Sequence, residues 1–193
     1  MPLSVASNFE DNNNELSDDF GPNWLNTEVD LEKVESTQTR GVSVPPVQMQ
    51  QAIGHIIDQV SEKYIEDYLI KLVGFGSRLY RAPGMANASK WLYEVLQGNG
   101  RIKAEYHNFS TTTSHGTFLL NNIILTIPGV NQSSDAIYYM YAHSDAVQHT
   151  DSSQWLTNTP GADDDGSGCV AALEPARVLS RYKFHDTIKF GFF

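Results

Sequence analysis

The sequence predicts an α/β domain in which helices connect the strands of a β-sheet. Apolar residues recur at helical spacing between residues 49 and 97, and apolar strands dominate from residue 102 to residue 142. A further helix and a further strand follow between residues 167 and 193. This succession of elements is typical of sheets with helical crossovers. The chain of 193 residues is long enough for one ordinary domain with a core.

Three helices are predicted in the first half of the chain. Residues 49–60 carry apolar side chains at helical spacing. Ser61 is the expected N-cap of a second helix, which Gly74 and Gly76 should end because glycine is a poor helix former. Residues 86–97 form the third predicted helix, and glycines follow it.

The second half of the chain is predicted to supply the sheet. Residues 102–109 alternate polar and apolar side chains as a half-buried strand does, and residues 119–127 form the next strand. Residues 136–142, rich in Ile, Tyr and Met, are predicted to be buried on both faces. After a helix at residues 167–182, residues 187–193 form a last apolar strand. We expect that strand to be unpaired and to favour association with other chains.

Composition and charge exclude several classes of protein. With 40% apolar and 19% charged residues, the chain is not disordered throughout. Its net charge of −10 argues against a nucleic-acid partner, which needs a basic face. The single cysteine, Cys169, excludes an internal disulfide and is interpreted as a small buried residue. No apolar run approaches the roughly 20 residues of a membrane span.

Acidic residues are concentrated at the N-terminal end. Residues 1–40 hold nine acidic and two basic residues and few apolar ones. We therefore predict an acidic, disordered tail or pro-segment over residues 1–45, followed by the folded part over residues 46–193. The first residues lack the basic start and apolar stretch of a secretory signal, and the sequence assigns no localisation.

Polar side chains with catalytic potential begin directly after the strand predicted at residues 136–142. His143 and Asp145 are two positions apart, so in an extended chain they project to the same side. A metal-bound imidazole commonly donates its other N–H to a carboxylate, a role open to Asp145. The alternative interpretation is an incidental polar pair at the end of a strand.

An acidic loop flanked by glycines follows at residues 160–168, with the sequence PGADDDGSG. Three adjacent carboxylates repel one another, which favours contact with water or a cation. Because the loop leads into the helix predicted at residues 167–182, it is equally interpretable as an exposed turn whose aspartates cap that helix.

A calcium loop of the EF-hand type is a third interpretation of the same segment. The spacing from Asp163 to Glu174 matches that motif when serine is allowed at its fifth position. An EF-hand also needs a helix running into the loop, and Pro160 and Gly161 oppose one. The sequence contains no second such loop to pair with it.

The two motifs together resemble the co-catalytic two-zinc aminopeptidase and carboxypeptidase family. The resemblance rests on HSD at residues 143–145, PGADDDGSG at residues 160–168 and AALEPARVL at residues 171–179, and upstream on LVGFGSR at residues 72–78. Members of the family include bacterial leucyl aminopeptidase, plasma glutamate carboxypeptidase and glutaminyl cyclase. The resemblance implies a three-layer α/β/α sandwich of zinc-exopeptidase type with a mixed sheet, truncated before the C-terminal half.

The resemblance also implies roles for individual residues in a site that binds two zinc ions. His143 is similar to a terminal ligand of one zinc, and Asp164 is similar to the carboxylate that bridges both, with a strained peptide to Asp165. Asp145 is similar to the residue that orients His143 without touching the metal. Asp163 takes the bridging role if the register of the three aspartates is shifted by one. Two such cations can polarise a carbonyl and activate a shared water.

The chain departs from the family pattern after Phe193. Family members carry a Glu-Glu pair shortly beyond the corresponding strand, and an Asp and a His further on; the first Glu is the general base. Because only two of five ligands are present, we expect the isolated chain to bind zinc weakly and to hydrolyse little or nothing. Pro175 is a second departure, and we expect it to kink the predicted helix.

The function implied by the resemblance is that of a zinc-dependent, aminopeptidase-like exopeptidase acting on terminal bonds of a peptide substrate. Two alternatives remain open. A glutaminyl cyclase-like acyltransferase shares the fold, and a non-catalytic peptidase-like module would use it to bind proteins. Family members are often secreted or luminal. The sequence predicts neither the side-chain preference nor the oligomeric state.

Overall fold

The computed structural model describes residues 29–30, 47–97, 102–148 and 151–193. The helices of these residues are α1 (Val47–Ile57), α2 (Glu62–Gly74), α3 (Pro83–Leu96) and α4 (Ser167–Leu179). The strands are β1 (Val29–Asp30), β2 (Lys103–Thr113), β3 (Gly116–Ile127), β4 (Ile137–Ala142), β5 (Tyr182–Lys183) and β6 (Thr187–Phe192). A short 3₁₀ turn at Ser152–Gln154 and an irregular π-type turn at Ala162–Gly166 lie between β4 and α4.

The helices begin and end where local chemistry favours it. The Ser61 hydroxyl accepts the backbone N–H of Tyr64 at 3.4 Å, which confirms Ser61 as the N-cap of α2. Helix α2 ends at Gly74, and Gly76 follows with a φ of +72° in the left-handed region, so both predicted glycines lie at its end. Helix α3 begins three residues earlier than predicted, because Pro83 has the fixed φ that suits a first helical turn. Helix α4 continues through Pro175 to Leu179.

The main sheet has four strands in the order β2-β3-β6-β4. Strands β2 and β3 form a long antiparallel hairpin, β6 pairs antiparallel with β3, and β4 pairs parallel with β6. Leu125 of β3 lies opposite Phe190 of β6, which in turn lies opposite Met140 of β4. The α/β class and the mixed sheet expected from the sequence are both confirmed.

One hydrophobic core joins α2, α3 and α4 to the sheet. Alternate residues of β3, Ile123, Leu125 and Ile127, are buried, as the period of two in a strand requires. They meet the buried faces of the three helices, which contribute Leu72, Leu92 and Leu173 among others. The sheet is thereby fixed with the carboxyl ends of β4 and β6 next to each other, and the candidate site lies at that edge.

The prediction that residues 136–142 are buried on both faces is wrong. The residues of β4 from Ile137 to Tyr141 are each 42% to 68% exposed, and Ala142 is buried. Burial depends on neighbours, and β4 is an edge strand of the four-stranded sheet. The expected unpaired end strand is also wrong, because β6 pairs with β3 on one side and β4 on the other. The apolar edge is β4.

The predicted acidic tail over residues 1–45 lies mostly outside the described residues. Its part at Val29–Asp30 forms β1, which pairs in parallel with β5 at Tyr182–Lys183. The boundary at residue 45 stays a prediction. Among the helices that the structure describes, none combines the length and apolarity needed to cross a bilayer.

Candidate metal centre

The site begins where β4 ends. His143 follows Ala142 directly, and its Nδ1 lies 3.1 Å from a carboxylate oxygen of Asp145. The other ring nitrogen, Nε2, lies 2.8 Å from Oδ1 of Asp164. The side chains are accessible, with 46% of His143, 45% of Asp145 and 73% of Asp164 exposed. The structure thus brings together the three residues that the sequence singled out.

The His143 imidazole stands between two carboxylates, and this arrangement demands positive charge. Burial lowers the pKa of His143, but the hydrogen bond and the negative charge of Asp145 outweigh burial and raise that pKa above its ordinary value. An ionised carboxylate only accepts hydrogen bonds, and a neutral imidazole has a single N–H, which it can donate to Asp145 or to Asp164 but not to both. The two contacts are favourable together when the ring carries two protons, or when a metal ion takes the place of the proton on Nε2.

The acidic loop holds its three aspartates in different environments. Asp165 accepts the backbone N–H of Gly168 at 2.8 Å, and that of His143 at 3.3 Å, so it joins the first turn of α4 to the end of β4. The backbone carbonyl of Asp163 accepts the Ser167 hydroxyl at 2.9 Å. The carboxylate of Asp164 instead faces His143, and the peptide between Asp164 and Asp165 is cis.

These environments decide between the sequence interpretations. The capping interpretation holds for Asp165, since its carboxylate accepts an N–H of the α4 first turn. The EF-hand interpretation is wrong, because Glu174 is 1% exposed and its carboxylate binds Arg177 and the Ser61 N–H in the interior. A twelfth-position calcium ligand would have to turn back toward the loop.

Arg78 connects the two segments that carry the site. Its side chain is completely buried and donates to the carbonyl of Ser144 at 2.9 Å, beside His143. It also donates to the carbonyls of Pro160 and Gly161, at the start of the acidic loop. Burial is the main influence on Arg78 and lowers its pKa. A single guanidinium therefore fixes the distance between the His143 segment and the aspartate loop.

Gly161 permits this close approach. Its φ of +52° lies in the left-handed region, and a Cβ there would collide with the side chain of Ala146 and the carbonyl of Asp164. A larger residue would therefore push the loop away from both Arg78 and the end of β4.

Sequence reasoning did not assign these supporting roles. Arg78 entered only as a letter of a matched motif and Asp165 only as a neighbour of Asp164, whereas Gly161 was singled out only as a residue that opposes a helix running into the loop. The signal that could have marked Arg78 is an arginine inside an otherwise small and apolar run, GFGSRL at residues 74–79. Such a residue is buried only when it is paired.

Cys169 lies beneath the site as a buried residue, as the sequence suggested. Its thiol is 0% exposed and donates to the carbonyl of His143 at 3.3 Å. Burial raises the pKa of Cys169 to about 12. A thiol in this state packs against the strand end and is not a nucleophile at neutral pH.

The donor types at the site suit zinc. Imidazole nitrogen and carboxylate oxygen are both common zinc ligands, and the partner on the far side of the ring fixes the tautomer that leaves Nε2 available. His143 Nε2 and Asp164 Oδ1 are the two atoms that could reach one cation. Within the described ranges, no group of three or more His, Cys, Asp or Glu residues is arranged to hold a metal ion.

Comparison with known proteins identifies the family. Residues 122–193 match the model of peptidase family M28. The chain carries part of a family M28 peptidase domain. Both site segments of this M28 domain, at residues 143–145 and 160–168, lie within the matched region.

Individual relatives agree with this assignment. The leucine aminopeptidase 1 of Neurospora crassa is 34% identical over 129 residues, which cover 64% of this chain and 30% of that protein. The solved Zn-dependent exopeptidase of Parabacteroides distasonis superposes with a TM-score of 0.57 at 26% identity. The superposition covers 70% of this chain and 47% of the exopeptidase chain. The glutaminyl cyclase of Porphyromonas gingivalis superposes with a TM-score of 0.58 at 25% identity. The superposition covers 70% of this chain and 48% of the cyclase chain.

These relatives are longer than the chain. The chain spans about a third of the length of the curated relatives it matches, and just under half of the solved ones. The superpositions confirm the predicted zinc-exopeptidase type of fold for the part that is present.

Proposed function

We propose that this chain is part of a zinc-dependent exopeptidase of aminopeptidase type, which hydrolyses a terminal peptide bond with metal-activated water. One observation carries the proposal: His143 Nε2 and Asp164 Oδ1 converge at the carboxyl end of β4, with Asp145 behind the ring. The leucine aminopeptidase and the Zn-dependent exopeptidase among the relatives support this choice of reaction.

Each residue of the chain has a distinct task in this proposal. Asp145 accepts the Nδ1–H of His143, which keeps the lone pair of Nε2 directed at the metal position. Asp164 has a second carboxylate oxygen, so it can serve two cations as a bridge. Arg78 and Gly161 hold the two ligand segments in register. When bound, zinc polarises the scissile carbonyl and lowers the pKa of a bound water.

We further propose that the chain alone is inactive. His143 and Asp164 supply two ligands, whereas catalytic zinc sites in proteins use three protein ligands and an open position. Asp145 hydrogen-bonds to His143, Asp165 is engaged by two backbone N–H groups, and neither is free to act as general base toward a water. We infer that a third ligand and the base come from residues of the complete protein other than the four described here, His143, Asp145, Asp164 and Asp165.

The test uses the purified 193-residue chain, its zinc content and a leucyl arylamide substrate. We expect zinc to bind weakly to the wild-type chain and not at all to His143→Ala, and hydrolysis to stay at the level of the buffer. Turnover that EDTA abolishes, at a rate comparable to a complete exopeptidase, would contradict the proposed inactivity. Equal zinc binding by wild type and His143→Ala would contradict the metal site itself.

A glutaminyl cyclase-like acyltransferase is the second candidate. The observation in its favour is the superposition on the Porphyromonas gingivalis glutaminyl cyclase, which fits this chain as well as the exopeptidase does. Peptides with N-terminal glutamine separate the two candidates. A complete protein carrying this segment is expected to release the terminal residue, whereas cyclisation of glutamine with loss of ammonia would favour the acyltransferase.

A further inference from the structure

The main chain of His143 directs its polar groups away from the neighbouring strand. The carbonyl of Ala142 accepts the Phe193 N–H at 3.0 Å, and the Ser144 N–H donates to the carbonyl of Phe193, so both residues pair toward β6. Since successive residues of a strand direct their backbone groups to opposite sides, the N–H and carbonyl of His143 point away from β6. Backbone polar groups in folded proteins are paired as a rule, so these two need partners elsewhere.

The start of α4 supplies both partners. Oδ2 of Asp165 accepts the His143 N–H at 3.3 Å, and the buried Cys169 thiol donates to the His143 carbonyl at 3.3 Å. Oδ1 of Asp165 accepts the Gly168 N–H at 2.8 Å in the first turn of the helix. We call these contacts of Asp165 with His143 and Gly168 the Asp165 clamp. One carboxylate thus holds the end of β4 against the start of α4.

Gly168 leaves room for the Asp165 clamp. This residue is the second of α4 and, unlike Gly161, has no positive φ, so its backbone conformation does not require glycine. Glycine in a helix is less favourable than alanine. A Cβ at position 168, however, would overlap with both carboxylate oxygens of Asp165. The space that Gly168 leaves is therefore occupied by this carboxylate.

The Asp165 clamp also links the two candidate metal ligands. Asp165 follows Asp164 directly in the chain, and its carboxylate binds the main chain of His143. Holding Asp165 in place therefore limits how far His143 and Asp164 can separate. Asp165 is also half-buried, whereas Asp163 and Asp164 are exposed, as expected of a carboxylate that two backbone donors hold in one orientation.

We propose that Asp165 is a positioning residue of the metal centre, which sets the place of His143 without touching the metal. The proposal rests on the proposed function, because it assumes zinc at His143 Nε2. Asp145 fixes the rotation of the imidazole through Nδ1, and the Asp165 clamp fixes the main chain from which that imidazole projects. The alternative role for Asp165 is that of a helix cap alone, which would stabilise α4 and leave zinc affinity unaffected.

The first measurement is hydrogen exchange of the metal-free chain in EDTA, followed by heteronuclear NMR. We expect the His143 amide to be protected in the wild type. It should exchange at least about tenfold faster in Asp165→Ala and in Gly168→Ala, the factor for one lost hydrogen bond to a charged group. The first variant removes the acceptor, and the second displaces it while its charge remains. The Phe190 amide, in β6, reports global opening and normalises the comparison.

The second measurement is zinc affinity, from a titration followed through the ring resonances of His143. Asp165→Ala and Gly168→Ala should each weaken zinc binding by about tenfold or more, the scale typical of groups that orient a metal ligand. The double variant should bind zinc no more weakly than Asp165→Ala, because the nearest atoms to a Cβ at position 168 all belong to the Asp165 carboxylate group.

Two control variants match these changes in charge and in helix propensity. Asp163→Ala removes the same charge from the same loop, and its carboxylate has no part in the clamp. Gly54→Ala adds a Cβ to a helical glycine of α1, where no atom lies within 4 Å of it. Neither control should change the exchange rate of the His143 amide, and neither should change zinc affinity by more than about twofold.

Three results overturn the proposal. One is a His143 amide that is unprotected in the wild type or unaffected by both variants. Another is unchanged zinc affinity in both variants, which would leave Asp165 as a helix cap alone. The third is a double variant whose loss is the sum of the single losses, because Gly168 would then act independently of Asp165.

The two measurements also separate this proposal from the proposed function. A wild-type chain that binds no zinc refutes the proposed function, whereas the exchange measurement, made without metal, still decides whether the clamp exists. If Asp165→Ala does not fold, Gly168→Ala carries both measurements, because it retains the carboxylate.

Discussion

Two polar clusters of this molecule differ in what surrounds them. Glu174 is 1% exposed, and its carboxylate accepts from Arg177 at 2.6 and 2.7 Å and from the Ser61 N–H at 2.7 Å. His143 and Asp164 form an equally close pair at 2.8 Å, yet 46% and 73% of their side chains are exposed.

This difference in exposure distinguishes a pair that stabilises the fold from a pair that can bind a ligand. The interior pair is fully satisfied by the protein: Arg177 also donates to the Gln59 carbonyl at 2.7 Å and lies over the ring of Tyr64 at 4.5 Å. It joins α4 to the start of α2 and has no capacity left for a ligand. The exposed pair remains accessible to a ligand, and the hydrogen bond to Asp145 fixes the orientation of its imidazole, which is the arrangement a metal site requires.

Removing Glu174 is expected to have the largest effect on stability. Glu174→Ala leaves Arg177 and the Ser61 N–H unpaired in the interior, and breaking a buried ion pair from one side costs about 3–5 kcal/mol. Denaturant unfolding followed by circular dichroism measures this loss. The exposed Glu94→Ala is the control and should change the free energy of unfolding by less than about 0.5 kcal/mol. A similar small change in Glu174→Ala would contradict the structural role of the pair.

Arg78→Met is expected to affect both stability and zinc binding. The substitution keeps much of the side-chain volume but leaves the carbonyls of Ser144, Pro160 and Gly161 without their donor. The free energy of unfolding should fall by about 2–3 kcal/mol, because buried carbonyls left unpaired cost that much. Zinc affinity should fall as well, since the two ligand segments lose their common anchor. If zinc affinity is unchanged, Arg78 stabilises the fold without positioning the site.

Some features of the fold and of the site could be predicted from the sequence, because residues close together in the chain determine them. The Ser61 hydroxyl caps the first turn of α2, and Gly76 takes the left-handed conformation just after its last turn, so both bounds of α2 follow from nearby residues. His143 and Asp145 were expected to meet because residues two apart in a strand share a side. The fold class followed from the order of helices and strands.

Other features depend on neighbours that are distant in the sequence. The exposure of Tyr138 and Tyr141 reflects the edge position of β4, which hydrophobic composition does not reveal. The contact of His143 with Asp164 spans a loop, and only the family resemblance suggested it. The four carbonyls that converge on Arg78 belong to three separate segments, and no local pattern marks them.

Asp145→Asn is expected to have the smallest effect on the fold and a selective one on the site. The amide oxygen can still accept from His143 Nδ1–H, but its negative charge is lost, and such changes typically reduce metal affinity about 10–100-fold. The unfolding free energy should change by less than about 0.5 kcal/mol, since the side chain is 45% exposed. Isothermal titration with zinc measures the first quantity and denaturant unfolding the second. Loss of stability without loss of zinc affinity would show that Asp145 stabilises the fold and does not orient His143 for the metal.

The central claim is that Asp164, among three adjacent aspartates, is the carboxylate that shares a metal with His143. The most direct measurement compares the zinc affinity of Asp164→Asn with that of Asp163→Asn, by competition with a chromogenic chelator. Asp163 is the matched control, because it is exposed, one residue away and identical in chemistry. The structure predicts a loss of at least about tenfold for Asp164→Asn, the scale of one lost charged ligand, and no more than a twofold change for Asp163→Asn. Equal losses, or a larger loss in Asp163→Asn, would contradict the claim.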